Sequence, residues 1–400
     1  MRQRIIALVD CDCFFVSCER KDNPALAGKP VCVMTGGGNR GIIVSRAKEA
    51  KALGIKMGAP YFQIKDVYRQ AVCIPARMQR YAEISAEVMN VVKSFSPDVE
   101  VTSIDEAYID LTGLAKAWHT TYTDIVKNIR QTVWDKVQIP VSIGLSCSKI
   151  LAKLASDRAK NTGGVFVIRP DRILETIGDI SINDVCGVGR KNNVHMQYSG
   201  IFTVRDFVEK DNAWIRQAFG INGLSLKQEL SGIATSLVES KQAAPQSIQD
   251  TQSFEDFTTS LELMQHALSE HVHTACRKLR QWNGFCAGIE VILKNKDFTC
   301  SALEAKLPTA TNSDFDIRAA AQQLLKKLYR PNVLYRATGI TLKNLSYGDE
   351  IQQSLFEEVK RKDDKLSHVI DALEAKFGPD TVKSGGDSVE NVNALRKNAD

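Results

Sequence analysis

Residues 99–113 read VEVTSIDEAYIDLTG. Val99, Val101 and Ser103 alternate with Glu100 and Thr102, and Tyr108 to Leu111 is again a β-favouring run. Alternation with a period of two marks a strand with one buried face. The stretch predicts a β-hairpin that carries two adjacent carboxylates, Asp105 and Glu106, at its turn or just past it. Neighbouring carboxylates repel, and a divalent cation between them relieves the repulsion. Hard oxygen ligands favour Mg²⁺ or Mn²⁺ over zinc. Taken alone, an Asp-Glu pair is more often an ordinary exposed turn.

Working outward, the N-terminal stretch MRQRIIALVDCDCFF (1–15) holds a short apolar run, Ile5 to Val9, that stops at Asp10. It predicts a buried strand with a carboxylate at its end. Val31 to Met34, Ile42 to Val44, Val141 to Leu145 and Val165 to Ile168 read as further strands. Ile84, Val88, Val91, Val92 and Phe95 have helical spacing, and Pro97 ends that helix. Lys48 to Leu53, closed by Gly54, and about Ser148 to Lys160 predict two more helices. Residues 1–168 thus alternate strands with helices around one sheet. Residues 171–235 look helical, 239–250 (ESKQAAPQSIQD) read as a linker, and a second strand-and-helix mixture runs from Thr251 to about Leu345. Beyond it the chain turns polar, with an apolar island at Leu355-Phe356 and a small amphipathic helix bearing Leu366, Val369, Ile370, Leu373 and Phe377. The closing stretch, 383–400, is expected to be disordered.

Composition narrows the class. In 400 residues, 44% are hydrophobic and 25% charged, which excludes a collagen-like or wholly disordered chain. No apolar run approaches the roughly 18 residues of a membrane span. Asp10 and Asp12 break the N-terminal apolar run before a secretory core could form. Lys and Arg total 52 against 47 Asp and Glu, and the net +5 permits a nucleic-acid partner without requiring one. None of the 10 cysteines forms a Cys-x-x-Cys pair, so neither a zinc ribbon nor a redox dithiol is indicated. Free, mostly buried thiols in a reducing cytoplasm are expected.

Val-Asp-Cys-Asp-Cys-Phe-Phe at 9–15 and Ser-Ile-Asp-Glu-Ala-Tyr at 103–108 resemble the two signature motifs of the Y-family, or translesion, DNA polymerases. Gly28-Lys29-Pro30-Val31, the residues Pro75, Arg77, Tyr81, Ser85 and Met89, and Gly144-Leu145-Ser146 with Lys149, Ala152-Lys153 and Ala159-Lys160 are similar to that family too. The resemblance covers roughly 1–345 and extends into the tail. It implies an α+β, multidomain right-hand polymerase. The palm would be 1–12 and 79–168, the fingers 13–78, the helical thumb with a helix-hairpin-helix 169–240, and the linker 241–250. A C-terminal little finger, 251–345, would precede a tail, 346–400, with a clamp-binding motif and a short helix.

The same resemblance implies the site. Asp10, Asp105 and Glu106 match the family's metal-binding acids, with the Cys11 carbonyl as a further ligand, for two Mg²⁺ per active site or Mn²⁺ instead. Phe15 falls at the steric gate that rejects ribonucleotides, while Phe14 would serve the core. Ser45, Lys51 and Lys160 match the triphosphate contacts. Lys48 and Lys51 depart from the polymerase IV pattern, and the stretch from Ser45 to Gly58 is closer to the polymerase V catalytic subunit. Gly187 and Gly189, between predicted helices, would approach DNA phosphates through backbone N–H groups. Basic residues crowd 251–345, where the resemblance puts a second DNA-holding domain. Gln352, Ser354, Leu355 and Phe356 resemble the peptide that binds the ring-shaped sliding clamp.

The implied partners are primer-template DNA, deoxynucleoside triphosphates and the clamp, and the polymerase V likeness raises an accessory subunit. A cytoplasmic, nucleoid-acting monomer without a membrane partner is expected. No segment resembles a proofreading exonuclease, so low-fidelity synthesis across damaged bases is expected. Two other functions compete: a nucleotidyl cyclase on a related palm sheet, and a non-catalytic clamp-bound adaptor. The Gly-Val-Gly tripeptide at 187–189, Phe15 and the tail motif oppose the first; the intact acidic triad opposes the second.

Overall fold

A computed structural model describes residues 3–36, 41–66, 69–348, 362–378 and 381–382. The chain divides into two units, Met1–Gln242 and Ala243–Asp400. The strands of the first are β1 (Ile6–Cys11), β2 (Val31–Met34), β3 (Ile43–Arg46), β4 (Val72–Pro75), β5 (Val99–Val101), β6 (Glu106–Asp110), β7 (Val141–Ser146) and β8 (Val165–Val167). Five of them form a mixed sheet in the order β5-β6-β1-β7-β8, and three form a small one, β3-β2-β4. All six residues of β1 are buried, as befits a central strand covered on both faces.

The hairpin read at 99–113 is present: β5 and β6 are antiparallel, Asp105 lies in the connection and Glu106 opens β6. The N-terminal strand runs further than its apolar residues suggest. Asp10 lies within β1, because β1 has neighbours on both sides and the ladder continues through Cys11↔Val141. The helix Met78–Lys93 buries Tyr81, Ile84, Val88, Val91 and Val92, the face that the sequence spacing outlines.

From Ile173 to Leu230 short helices enclose a separate cluster that includes Ile177, Val204, Phe207 and Ile215. Gly187–Gly189 lies here, between a 3₁₀ turn, Ile182–Asp184, and the α-helix Arg190–Tyr198. Helical structure thus flanks the tripeptide on both sides, one turn of 3₁₀ before it and an α-helix after it. The 3₁₀ turn ends at Val185, which is extended, and Gly187 adopts φ 94°, a left-handed conformation, in the turn that follows.

The second unit has β9 (Ile248–Thr258), β10 (Gly284–Asn295), β11 (Cys300–Thr311) and β12 (Tyr335–Tyr347), in the order β11-β10-β12-β9. The helices Leu261–Gln281 and Asp314–Leu328 pack against this antiparallel sheet around Met264, Val272, Ile289, Val291, Ile317 and Ile340. β9 begins inside the stretch read as linker, because Ile248 is buried and pairs with Leu342. Among the described residues no helix is long and apolar enough to cross a membrane, and all ten cysteines are free.

The amphipathic helix near the C-terminus is present as Lys362–Phe377, but its buried side is the polar one. Ser367 and Glu374 are buried, whereas Leu366, Val369, Leu373 and Phe377 are exposed. Ion pairs explain the inversion. Glu374 meets His273 Nε2 at 3.1 Å and Arg277 at 2.9 Å, and Asp371 meets Arg280 at 2.6 Å. His273 Nδ1 lies 2.6 Å from Asp314. That hydrogen bond outweighs burial and, with Glu374, raises the His273 pKa above its ordinary value. A raised histidine pKa adds stability that is complete below the unfolded value, about 6.5, and lost as pH climbs through the folded one. Hydrogen exchange, corrected for intrinsic rates, is expected to show protection of 362–377 falling as pH rises from about 6.5 into the alkaline range. His273→Gln is expected to remove most of that dependence.

Candidate active site

Antiparallel pairing of β1 with β6 sets Asp10 directly opposite Glu106. Directly opposed residues share a sheet face, so the register forces two carboxylates together. The Cys11 N–H donates to the Asp105 carbonyl at 2.9 Å, which fastens the hairpin turn beside Asp10. Asp10 is only 6% exposed, and a buried carboxylate needs a partner.

Its partners come from the helix Lys149–Ala159 and the residue that caps its end, Lys160. Lys149 and Lys153 are one turn apart and Lys160 two turns further on, so one face carries all three. Lys149 Nζ lies 2.6 Å from Glu100. Lys153 Nζ bridges Asp10 Oδ2 at 2.9 Å and Glu106 Oε2 at 2.8 Å. Lys160 Nζ reaches the same Asp10 oxygen at 3.1 Å and Asp157 at 3.2 Å. Burial opposes the Lys153 ammonium, but the Glu106 hydrogen bond and the Asp10 charge prevail and raise its pKa. Lys160 is raised in the same way, against burial, by Asp10. Asp12, beside them, accepts from Ser142 at 2.8 Å; burial nevertheless raises its pKa.

Gly144 in β7 lets this helix approach. A Cβ there would lie 2.1 Å from the Ala152 carbonyl oxygen and 2.1 Å from the Ser156 nitrogen. Both are helix backbone, so no rotamer change can relieve the clash. Gly144→Ala is expected to cost about 3 kcal/mol, the upper part of the overpacking range. It would also push Lys153 and Lys160 away from Asp10. Urea unfolding should show the lost stability as a lower midpoint with unchanged slope.

What touches the acidic residues shows how far they suit a divalent cation. Asp10 and Glu106 converge on one ammonium, which stands in for a cation at hydrogen-bonding range. The Asp105 carboxylate turns instead to the Ser103 hydroxyl at 2.5 Å. Among the described residues no three carboxylate, imidazole or thiol side chains converge tightly enough to hold one ion. The donor set is hard oxygen: Asp10 and Glu106 face each other across two strands, and Asp105 precedes Glu106 in the hairpin connection. In donor chemistry these residues suit Mg²⁺ or Mn²⁺, and holding one ion together would need the Asp105 side chain to turn from Ser103 toward the other two.

Cys13, with φ 46°, turns the chain sharply from β1 into the helix Phe14–Asp22. Phe14 enters the core, whereas Phe15 is half-buried and stacks on Tyr81, with centroids 4.6 Å apart and planes 16° apart. Ser45 is buried in β3, while Lys51 is exposed on the helix Lys48–Ala52. Lys48 Nζ reaches the Lys160 carbonyl at 3.4 Å, so that short helix touches the end of the lysine-bearing one. Gly187 and Gly189 are solvent-facing, and Gly189 is the N-cap of Arg190–Tyr198. Gln352, Ser354, Leu355 and Phe356 lie outside the described residues. The bridging role of Lys153 was missed from sequence, where it stood only within a motif.

The impB/mucB/samB family pattern matches residues 9–157, and that family's C-terminal domain matches 245–355. The chain is 32% identical to Protein UmuC of Salmonella typhimurium, over 98% of this chain and 96% of that protein. It is 29% identical to DNA polymerase IV 1 of Halalkalibacterium halodurans, over 96% and 93%. Among solved structures, a Y-family DNA polymerase chimera of Dbh and Dpo4 aligns with TM-score 0.73 at 24% identity, over 86% of this chain and 100% of that one. The insertion ternary complex of Dbh DNA polymerase aligns at TM-score 0.59 and 25% identity, over the same shares.

Proposed function

The chain belongs to the impB/mucB/samB family of Y-family DNA polymerases, and from that premise we propose that it is a DNA-directed DNA polymerase that copies past damaged template by metal-assisted nucleotidyl transfer. One observation carries the reading: two carboxylates held face to face by strand register, with lysines of a single helix directed onto them. Asp10, Asp105 and Glu106 would hold a pair of Mg²⁺ ions, with the Cys11 carbonyl completing the set. The ions would lower the pKa of the primer 3′-hydroxyl and neutralise the triphosphate. That hydroxyl attacks the α-phosphorus, a P–O bond forms, and pyrophosphate leaves. Lys160 is a phosphate-binding cation of the chain itself, supported by its place at Asp10. Ser45 and Lys51 are proposed as further triphosphate contacts, and Phe15 as the sugar gate.

The domain reading is part of the proposal. The sheet with β1 and β6 would be the palm, the small sheet the fingers, the 173–230 cluster the thumb and the second unit the little finger. Gly187 and Gly189 would meet a DNA phosphate through backbone N–H groups. Clamp tethering through 352–356 rests on the sequence motif; burial of Leu355 and Phe356 in an apolar pocket would raise the effective concentration at primer ends.

Primer extension with Mg²⁺ and four deoxynucleotides tests the reading. Extension on intact template and past an abasic site is expected, and addition of clamp is expected to lengthen products by about tenfold or more. Cyclic nucleotide formed without primer, or DNA binding without synthesis, would defeat the proposal. Arrest at every lesion, with normal synthesis on intact template, would remove its bypass component.

A further inference from the structure

We propose that Lys153 is the resident counter-ion of the metal site: its ammonium holds Asp10 and Glu106 together before metal arrives, and a cation must displace it to bind between them. The inference rests on the metal-site reading above and adds a competitor to it.

The register of β1 and β6 places Asp10 opposite Glu106. Two carboxylates so placed are costly unless a positive charge lies between them. Lys153 supplies it, with 2.9 Å and 2.8 Å contacts to one oxygen of each. The Asp10 oxygen it uses, Oδ2, also takes Lys160 at 3.1 Å. A carboxylate oxygen has about two lone-pair sites, so both sites of Oδ2 are taken. A cation reaching that oxygen must expel one ammonium. Lys160 is held besides by Asp157; among the described residues it is Lys153 that bridges both acids. Its helix cannot drift away, being seated against Gly144 and capped by Ser148, whose side chain accepts from Leu151 N–H. Release therefore means rotation of a flexible four-carbon stem, which keeps the ammonium near the site as the triphosphate brings new negative charge.

The measurement is Mn²⁺ binding to the full, nucleotide-free protein, read from the electron paramagnetic resonance signal of the free ion. Lys153→Met is expected to tighten Mn²⁺ binding by about tenfold or more, the order expected when one charge-assisted hydrogen-bonding competitor is removed. Lys153→Arg, which keeps the charge, is expected to bind Mn²⁺ no more tightly than the parent. Without metal, Lys153→Met should melt at lower temperature than the parent, and Mn²⁺ should raise its Tm by more. If the Met variant does not fold, Lys153→Gln serves, since it keeps a donor without the charge. Equal Mn²⁺ affinity in the parent and in the Met or Gln variant would overturn the counter-ion role while leaving the metal site intact. Binding too weak to measure in all of them, unchanged by Asp10→Asn, would instead overturn the metal-site reading and the counter-ion role with it.

Discussion

Replacement of Asp105 or Glu106 by Ala is expected to lower single-turnover primer extension on the order of a thousandfold, the scale for loss of one group that stabilises charge in the transition state. The two substitutions test different parts of one turn. Among the described residues the Asp105 carboxylate accepts from its neighbour Ser103, while the backbone carbonyl of Asp105 accepts from Cys11 N–H. Ala preserves that backbone bond, so the turn should persist without the carboxylate. Glu106 opens β6, and its backbone pairing with β1 is likewise indifferent to the side chain. Loss of Glu106 leaves Lys153 its second partner, Asp10, so no buried charge is stranded. Both variants should therefore keep the parent circular dichroism spectrum and DNA affinity within about twofold, since exposed or partly exposed polar groups removed without stranding a partner cost little. Extension within about tenfold of the parent in either variant would remove that residue from the metal site.

The contrast between what was readable in the chain and what was not follows contact range. The hairpin at 99–113, the helix over Met78–Lys93 and the strand Val31–Met34 rest on local alternation, periodicity and turn residues, and their positions agree with those patterns. The placement of Asp10 inside β1 needed knowledge that β1 has two neighbours. The bridge from Lys153 to Asp10 spans 143 residues and depends on strand register and on the closeness of approach at Gly144. No window of sequence contains that information. The C-terminal helix gives the sharper lesson. Its apolar stripe was legible, and the natural inference that the stripe faces inward is reversed by three distant cations, His273, Arg277 and Arg280. Amphipathicity identifies a helix; it does not say which face is buried when the partner surface is charged.

Phe15→Ala is expected to raise the ratio of ribonucleotide to deoxynucleotide insertion by about a hundredfold, because the proposed gate would reject one hydroxyl by a wall and not by a missing hydrogen bond. A wall discriminates only if it cannot yield. Phe15 is backed by the Tyr81 ring, nearly parallel at 4.6 Å. Tyr81 is fully buried, and its hydroxyl donates to Glu19 Oε1 at 2.6 Å. Arg77 grips both Glu19 oxygens at 2.9 Å, in the fork geometry that resists rotation. Burial, with the Glu19 hydrogen bond, raises the Tyr81 pKa, so the hydroxyl keeps its proton at neutral pH. The Phe15 ring thus has little room to retreat into the core, as a gate there would require. Phe15 itself is half-buried, so its loss should cost less than the roughly 3–5 kcal/mol of a fully buried Phe→Ala change. A stable variant is expected, one that still extends with deoxynucleotides and now accepts ribonucleotides. Competition assays with paired ribo- and deoxynucleotides on one template give the ratio directly, and an unchanged ratio in a folded, active variant would defeat the gate.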